Sequence, residues 1–274
     1  MSSTDTPGLS TLGEDLLLLS IRTGDGRIAT SSRIGFGLMG SELIRLAASG
    51  RIDIVKDRII VRDTTPTGDA ELDTALQSFT LARRPSRPKT WVGHPRRAIL
   101  DTYLARLLSA GALSAEARGI FGRKRYTVTA PARLADARSR LDTIAQSEGQ
   151  QVSTAEAAFG GLAHAIGLDR QLYPGFGARQ VHKRLAQIAA GKWTAPGPAS
   201  TATSAATAAV DAAARASTDA ATQAAMDAAT RAATQAATDA AIQAAVQAST
   251  EAAISAAVSA SADTGGGAEA HGHH

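Results

Sequence analysis

Leu113-Ser-Ala-Glu-Ala-Arg-Gly-Ile-Phe-Gly-Arg-Lys-Arg-Tyr-Thr-Val128 is the stretch on which the fold turns. Gly119 and Gly122 bracket Ile120 and Phe121, and Tyr126-Thr-Val-Thr129 alternates as a returning strand does, so the segment reads as a β-hairpin. Its tip combines two bulky apolar residues with Arg118, Arg123, Lys124 and Arg125. An exposed Ile-Phe pair costs solubility unless an apolar phase receives it, and flanking cations suit the head groups of anionic lipid. The alternative is a hairpin whose Ile and Phe fold back onto their own domain, and the segment alone does not separate the two.

Around this hairpin the chain reads as mostly helical. Thr11 and Glu14 have the spacing of a capping box before Leu16–Leu19, and a second helix spans about Phe36 to Ser49, stopped by Gly50. Arg51-Ile-Asp-Ile-Val-Lys-Asp-Arg-Ile-Ile-Val-Arg62 is two apolar runs broken by a polar turn, hence another hairpin. Pro66-Thr-Gly-Asp69 turns into a helix over Ala70 to Phe79, and Ala98 to Ser109 precedes the Ile-Phe hairpin. Further helices are expected over Leu134 to Gln146, Thr154 to Ile166 (capped by Ser153 with Glu156) and Ala178 to Ala190.

Composition then excludes whole classes. The chain has 274 residues, 44% of them apolar, which is enough for a sizeable core; it has no Cys, hence no disulfide, thiolate metal site or cysteine nucleophile. Leu16–Leu19 follows Glu14 and Asp15 without a basic flank and is too short for a signal peptide or a membrane span. No H-E-x-x-H, P-loop, G-x-S-x-G or dinucleotide fingerprint occurs. His94, His164 and His182 are scattered, and Asp69 with Asp73 reads as a turn residue followed by a helix-surface residue. No catalysis and no cofactor is expected.

Charge is divided unevenly. Residues 208–274 carry two Arg against seven acids, leaving residues 1–207 at +9. Arg83, Arg84, Arg87, Lys89, Arg96 and Arg97 occur without an intervening acid, so a polyanionic partner is implied, either phospholipid or nucleic acid. A helix followed by a basic hairpin also has the layout of a winged helix, but Ala98–Ser109 offers only Arg106 for reading DNA.

The domain expected from these signals spans residues 1–193. A Pro, Gly, Ser, Thr and Ala linker over 194–207 follows, then an Ala-rich helix over 208–263 and a disordered tail over 264–274. The Ala-rich part is fourteen tetrads of the type Ala-Ala-Thr-Gln. A repeat of four drifts about 40° per tetrad against the 3.6-residue turn, so larger side chains spiral instead of forming a seam. A single helix, frayed or partly disordered, is expected, with an oligomerising helix, and so a homo-oligomer, as the alternative.

Phe36-Gly-Leu-Met-Gly-Ser-Glu-Leu-Ile-Arg-Leu46, the hairpin after Arg51, Pro66-Thr-Gly-Asp-Ala-Glu-Leu-Asp-Thr-Ala-Leu76 and Leu107-Leu-Ser-Ala-Gly-Ala-Leu113 come in the order seen in the Golgi phosphoprotein 3 family. The chain resembles that family from about Gly8 to Trp193, leaving the alanine-rich part outside. The resemblance implies a compact helical domain that binds phosphatidylinositol 4-phosphate and inserts a hydrophobic hairpin tip from the cytoplasmic face of a membrane. Ile120 and Phe121 stand where the inserting residues stand. The family's head-group pocket uses a tryptophan and three arginines, whose places fall near Thr30 and at Met39, Arg97 and Leu100. Arg97 alone is kept; Arg33 and Arg96 lie near enough in sequence to substitute, so a broad preference for anionic lipid is the expectation.

Overall fold

A computed structural model describes residues 8–29, 32–118, 123–147, 151–193 and 201–263. Its helices are α1 (Leu12–Ser20), α2 (Ile34–Ala48), α3 (Ala70–Thr80), α4 (Pro88–Val92), α5 (Ile99–Ser109), α6 (Pro131–Gln146), α7 (Thr154–Ala165), α8 (Leu168–Leu172), α9 (Arg179–Ala189) and α10 (Thr201–Asp263). Two antiparallel hairpins interrupt them, β1 (Ile52–Val55) with β2 (Arg58–Val61), and β3 (Leu113–Arg118) with β4 (Arg123–Val128). The protein is therefore mostly α with two hairpins, as the sequence leads one to expect.

The chain divides into two units, Met1–Ala220 and Ala221–His274. In the first, α1 and α2 lie at the centre, because both are apolar nearly all round: Leu16–Leu19, Leu38, Leu43, Ile44 and Leu46 are all buried. Helices α5, α6 and α7 pack on them. The contacts are close enough that a β-carbon on Gly13 would sit 2.6 Å from the Tyr103 ring and 2.7 Å from Ser41 Oγ. Only glycine fits at that crossing of α1, α2 and α5.

Local chemistry fixes several boundaries. Lys56 and Asp57 both adopt positive φ (49° and 58°), which gives the two-residue turn whose twist matches the β1–β2 hairpin. At α7 the Ser153 hydroxyl accepts from Glu156 N–H, and the Glu156 carboxylate accepts from Ser153 N–H at 2.7 Å, a complete capping box. The expected box at α1 does not form. Arg133 draws Glu14 away at 2.6 Å, and the Thr11 hydroxyl instead donates to Asp15 at 2.8 Å.

The compact unit also extends beyond the boundary expected at 193. Helix α10 begins at Thr201, within the segment read as linker, and buries Ala205, Ala206, Ala209, Val210, Ala212, Ala213 and Ala216. Alanine allows it to approach closely, and Gly161 faces Val210 with room for no β-carbon, one there falling 2.9 Å from Val210 Cγ2. Packing selects this part of the repeat; the repeat itself is the same on either side. In the second unit, residues 221–263 are helical and those from 222 to 259 are exposed, in keeping with side chains that spiral without a seam.

Candidate functional site

The β3–β4 ladder runs from the Leu113 and Val128 pair to the Arg118 and Arg123 pair. Residues 119–122, with Ile120 and Phe121, lie outside the described residues, as do the side chains of Arg118 and Arg123. The base of the hairpin is fixed in two ways. Leu113 is buried, and Tyr126 N–H donates to the Gly26 carbonyl at 2.9 Å. Arg125 donates to the Asp25 carbonyl and lies 3.9 Å from its carboxylate, whereas Lys124 is exposed. A cleft of 560 Å³ opens between the Arg22–Gly26 turn, β4 and Pro131 and Leu134 of α6. Its one sequence signal was the Gly24-Asp-Gly26 turn; the meeting with the hairpin is tertiary.

Beneath the basic segment lies a web of ion pairs. Arg96 donates to both carboxylate oxygens of Glu42, at 2.8 and 2.6 Å, and to Glu71 at 3.0 Å. Glu42 is fully buried on α2, and that burial pushes its carboxyl up to about 7 against the downward pull of Arg96. Next to it, Asp69 caps α3 through Glu71 N–H at 3.0 Å and accepts from Arg45 at 2.7 Å and Arg106 at 2.9 Å. Burial opposes ionisation of Asp69, but these donors outweigh it and hold the carboxyl below its ordinary value. Asp73, read as a helix-surface residue, accepts from Thr67 N–H and hydroxyl at 2.6 and 2.7 Å and ties down the turn before α3.

The family model described as Golgi phosphoprotein 3 (GPP34) matches residues 12–262. The chain belongs to the Golgi phosphoprotein 3 family. The match takes in α10, which the resemblance read from the sequence left out. No curated protein matches the chain.

Against that family's head-group pattern the four places fare differently. Met39 is buried, its sulfur 3.7 Å from Arg96, so α2 turns this position into the core. Leu100 packs half-buried against the core, and Thr30 lies outside the described residues. Arg97 is exposed and makes no ion pair among the described residues. Of the two stand-ins, Arg33 is half-buried with its guanidinium against Gly167, 3.0 Å from where a β-carbon would be. Arg96 has its hydrogen bonds directed at Glu42 and Glu71. The structure therefore directs Arg33 and Arg96 to different neighbours, and gives Arg96 a structural partner set that sequence reasoning missed. Arg106, the one candidate for DNA reading, is likewise engaged with Asp69 and with Glu14 at 3.2 Å.

The histidines are less scattered than their spacing suggests. His164 Nδ1 and His182 Nδ1 both lie 2.9 Å from Asp169 Oδ2, and His182 Nε2 faces the Tyr173 carbonyl at 3.1 Å. Burial of Asp169 opposes its ionisation, yet the two histidines overcome this and leave its carboxyl below the ordinary value. This cluster joins α7, α8 and α9. Among the described residues no group of three His, Cys, Asp or Glu is placed to hold a metal ion, and no helix is long and apolar enough to cross a membrane.

Proposed function

We propose that this member of the Golgi phosphoprotein 3 family is a peripheral membrane protein that binds anionic phospholipid. The observation that carries the reading is the β3–β4 hairpin, anchored at its base through Leu113, Tyr126 and Arg125 while its strands lead directly to Gly119-Ile-Phe-Gly122. Ile120 and Phe121 enter the acyl region, with Arg118, Arg123 and Lys124 at head-group level, while Arg125 is held by Asp25. Arg97 supplies exposed positive charge elsewhere in the same unit. With Met39 and Leu100 in two family arginine places and Arg96 bound to Glu42, binding follows total anionic charge more than the 4-phosphate of phosphatidylinositol. The protein acts by binding, without catalysis.

Liposome sedimentation of the full chain tests this reading. Burial of Ile120 and Phe121 contributes at most about 1.5–3 kcal/mol each, and each cation near the surface about 1 kcal/mol, before ordering costs are subtracted. Binding is therefore expected to be reversible, to need anionic lipid and to fall sharply in Ile120→Asp with Phe121→Asp. Equal binding by parent and double variant would refute insertion. A salt series on duplex DNA separates the rival, since phosphate-driven DNA binding collapses as salt rises.

A further inference from the structure

Among the described residues of the first unit, the exposed large apolar side chains are Val55, 42% exposed, and Leu81, 75% exposed. Each is followed in sequence by exposed cations, Lys56 after Val55 and Arg83 and Arg84 after Leu81, and neither belongs to the β3–β4 hairpin. Val55 and Lys56 stand at the β1–β2 turn, and Leu81 opens the segment that runs through Arg83, Arg84 and Arg87. That segment is laid along β2: Ile59 N–H donates to the Ser86 carbonyl at 2.9 Å and Arg58 donates to the Pro85 carbonyl at 3.0 Å. Arg87 and Asp57 close the contact at 3.6 Å. Lys56, Arg58, Arg83, Arg84, Arg87 and Lys89 are all exposed there, and Asp57 is the acid among them. Lys56, Arg83, Arg84 and Lys89 form no ion pair among the described residues.

We infer that the Leu81–Lys89 segment and the β1–β2 turn form a second contact with an anionic lipid bilayer. An interface that is apolar below and anionic above accommodates both a leucine three-quarters exposed and the cations around it. Charge complementarity selects an anionic partner. The exposed apolar side chains of Val55 and Leu81 select lipid, since a nucleic-acid partner leaves both without use. A single apolar anchor gives marginal attachment, and a second one on the same rigid unit adds to residence without requiring a stereospecific pocket. The inference rests on the membrane reading above.

The chain has no Cys, so one introduced thiol reports from one place. Full-length Leu81→Cys and Ile120→Cys are labelled separately with nitrobenzoxadiazole, with Thr143→Cys on α6 as the water-exposed reference. Each is mixed with phosphatidylcholine vesicles with and without phosphatidylserine, and with duplex DNA. The label at 81 is expected to shift to the blue and to be quenched by spin-labelled lipid only when phosphatidylserine is present. Arg83→Gln with Arg84→Gln should weaken vesicle binding by about 30-fold at most, since each cation near the surface is worth about 1 kcal/mol. A label that responds at 120 and not at 81 overturns the second contact and leaves the hairpin reading intact. A response at 81 without one at 120 supports the second contact and refutes hairpin insertion. Silence at both positions refutes both, and a response at 81 to DNA alone assigns the patch to nucleic acid and overturns the inference.

Discussion

Replacing Arg96 by Ala separates a structural arginine from a lipid-binding one. Glu42 is fully buried and receives two hydrogen bonds from Arg96, at 2.6 and 2.8 Å, while Glu71 holds the same guanidinium at 3.0 Å. Removing one partner of a buried pair strands the other, at a cost of about 3–5 kcal/mol. Because the Glu42 carboxyl already lies at about 7, it escapes by taking up a proton, so the loss is expected to be smaller at pH 6 than at pH 8. Adding Glu42→Gln to Arg96→Ala should return about 2 kcal/mol, since no charge then needs a partner. Arg97→Ala, on an exposed side chain, should stay within about 0.5 kcal/mol of the parent and still weaken vesicle binding. Urea unfolding followed by circular dichroism gives the stabilities, and vesicle sedimentation on the folded variants gives the binding. If Arg96→Ala unfolds at the parent's midpoint while losing vesicle binding, the clamp is wrong and Arg96 belongs to the head-group site.

The two perturbed carboxylates should act in opposite pH windows. Glu42 binds its proton more tightly folded, at about 7, than unfolded, so its contribution is full below about pH 4.5 and about 3 kcal/mol of it is lost as pH rises through 7. Thermal melts of Glu42→Gln should lack that decline. Asp169 has a lowered folded value, so its contribution is present above the ordinary carboxylate range and is lost as pH falls through the folded value; Asp169→Asn should flatten the acid limb. Val210→Asp should cost at least about 3 kcal/mol by burying a charge against Gly161, whereas Val246→Asp, on an exposed position, should change stability by less than about 0.5 kcal/mol. Equal effects would refute the docking of α10. Lys56→Asn with Asp57→Gly should raise the unfolding midpoint, by about 0.5–1 kcal/mol in stability, since both positions already hold positive φ.

The local pattern of the sequence was enough for the longer helices, for both hairpins and for the Ser153 cap, though not for the short α4 and α8, because periodicity, turn chemistry and capping act over a few residues. It was enough, too, for the ordered pieces that place the chain in its family. What it could not rank was competition between distant groups. Glu14 has the spacing of a cap and is taken by Arg133, more than a hundred residues away. Arg96 reads as one cation in a basic run, and only the approach of α2 and α3 turns it toward Glu42 and Glu71. His164 and His182 converge because α7 and α9 pack together around Asp169. The alanine tetrads look alike from end to end, yet those up to about Ala216 are buried where glycine on α7 leaves room for them, and those beyond Ala221 stay exposed. Periodicity is a property of the segment, whereas an ion pair or a buried face is decided by whichever neighbour the folded chain brings within reach.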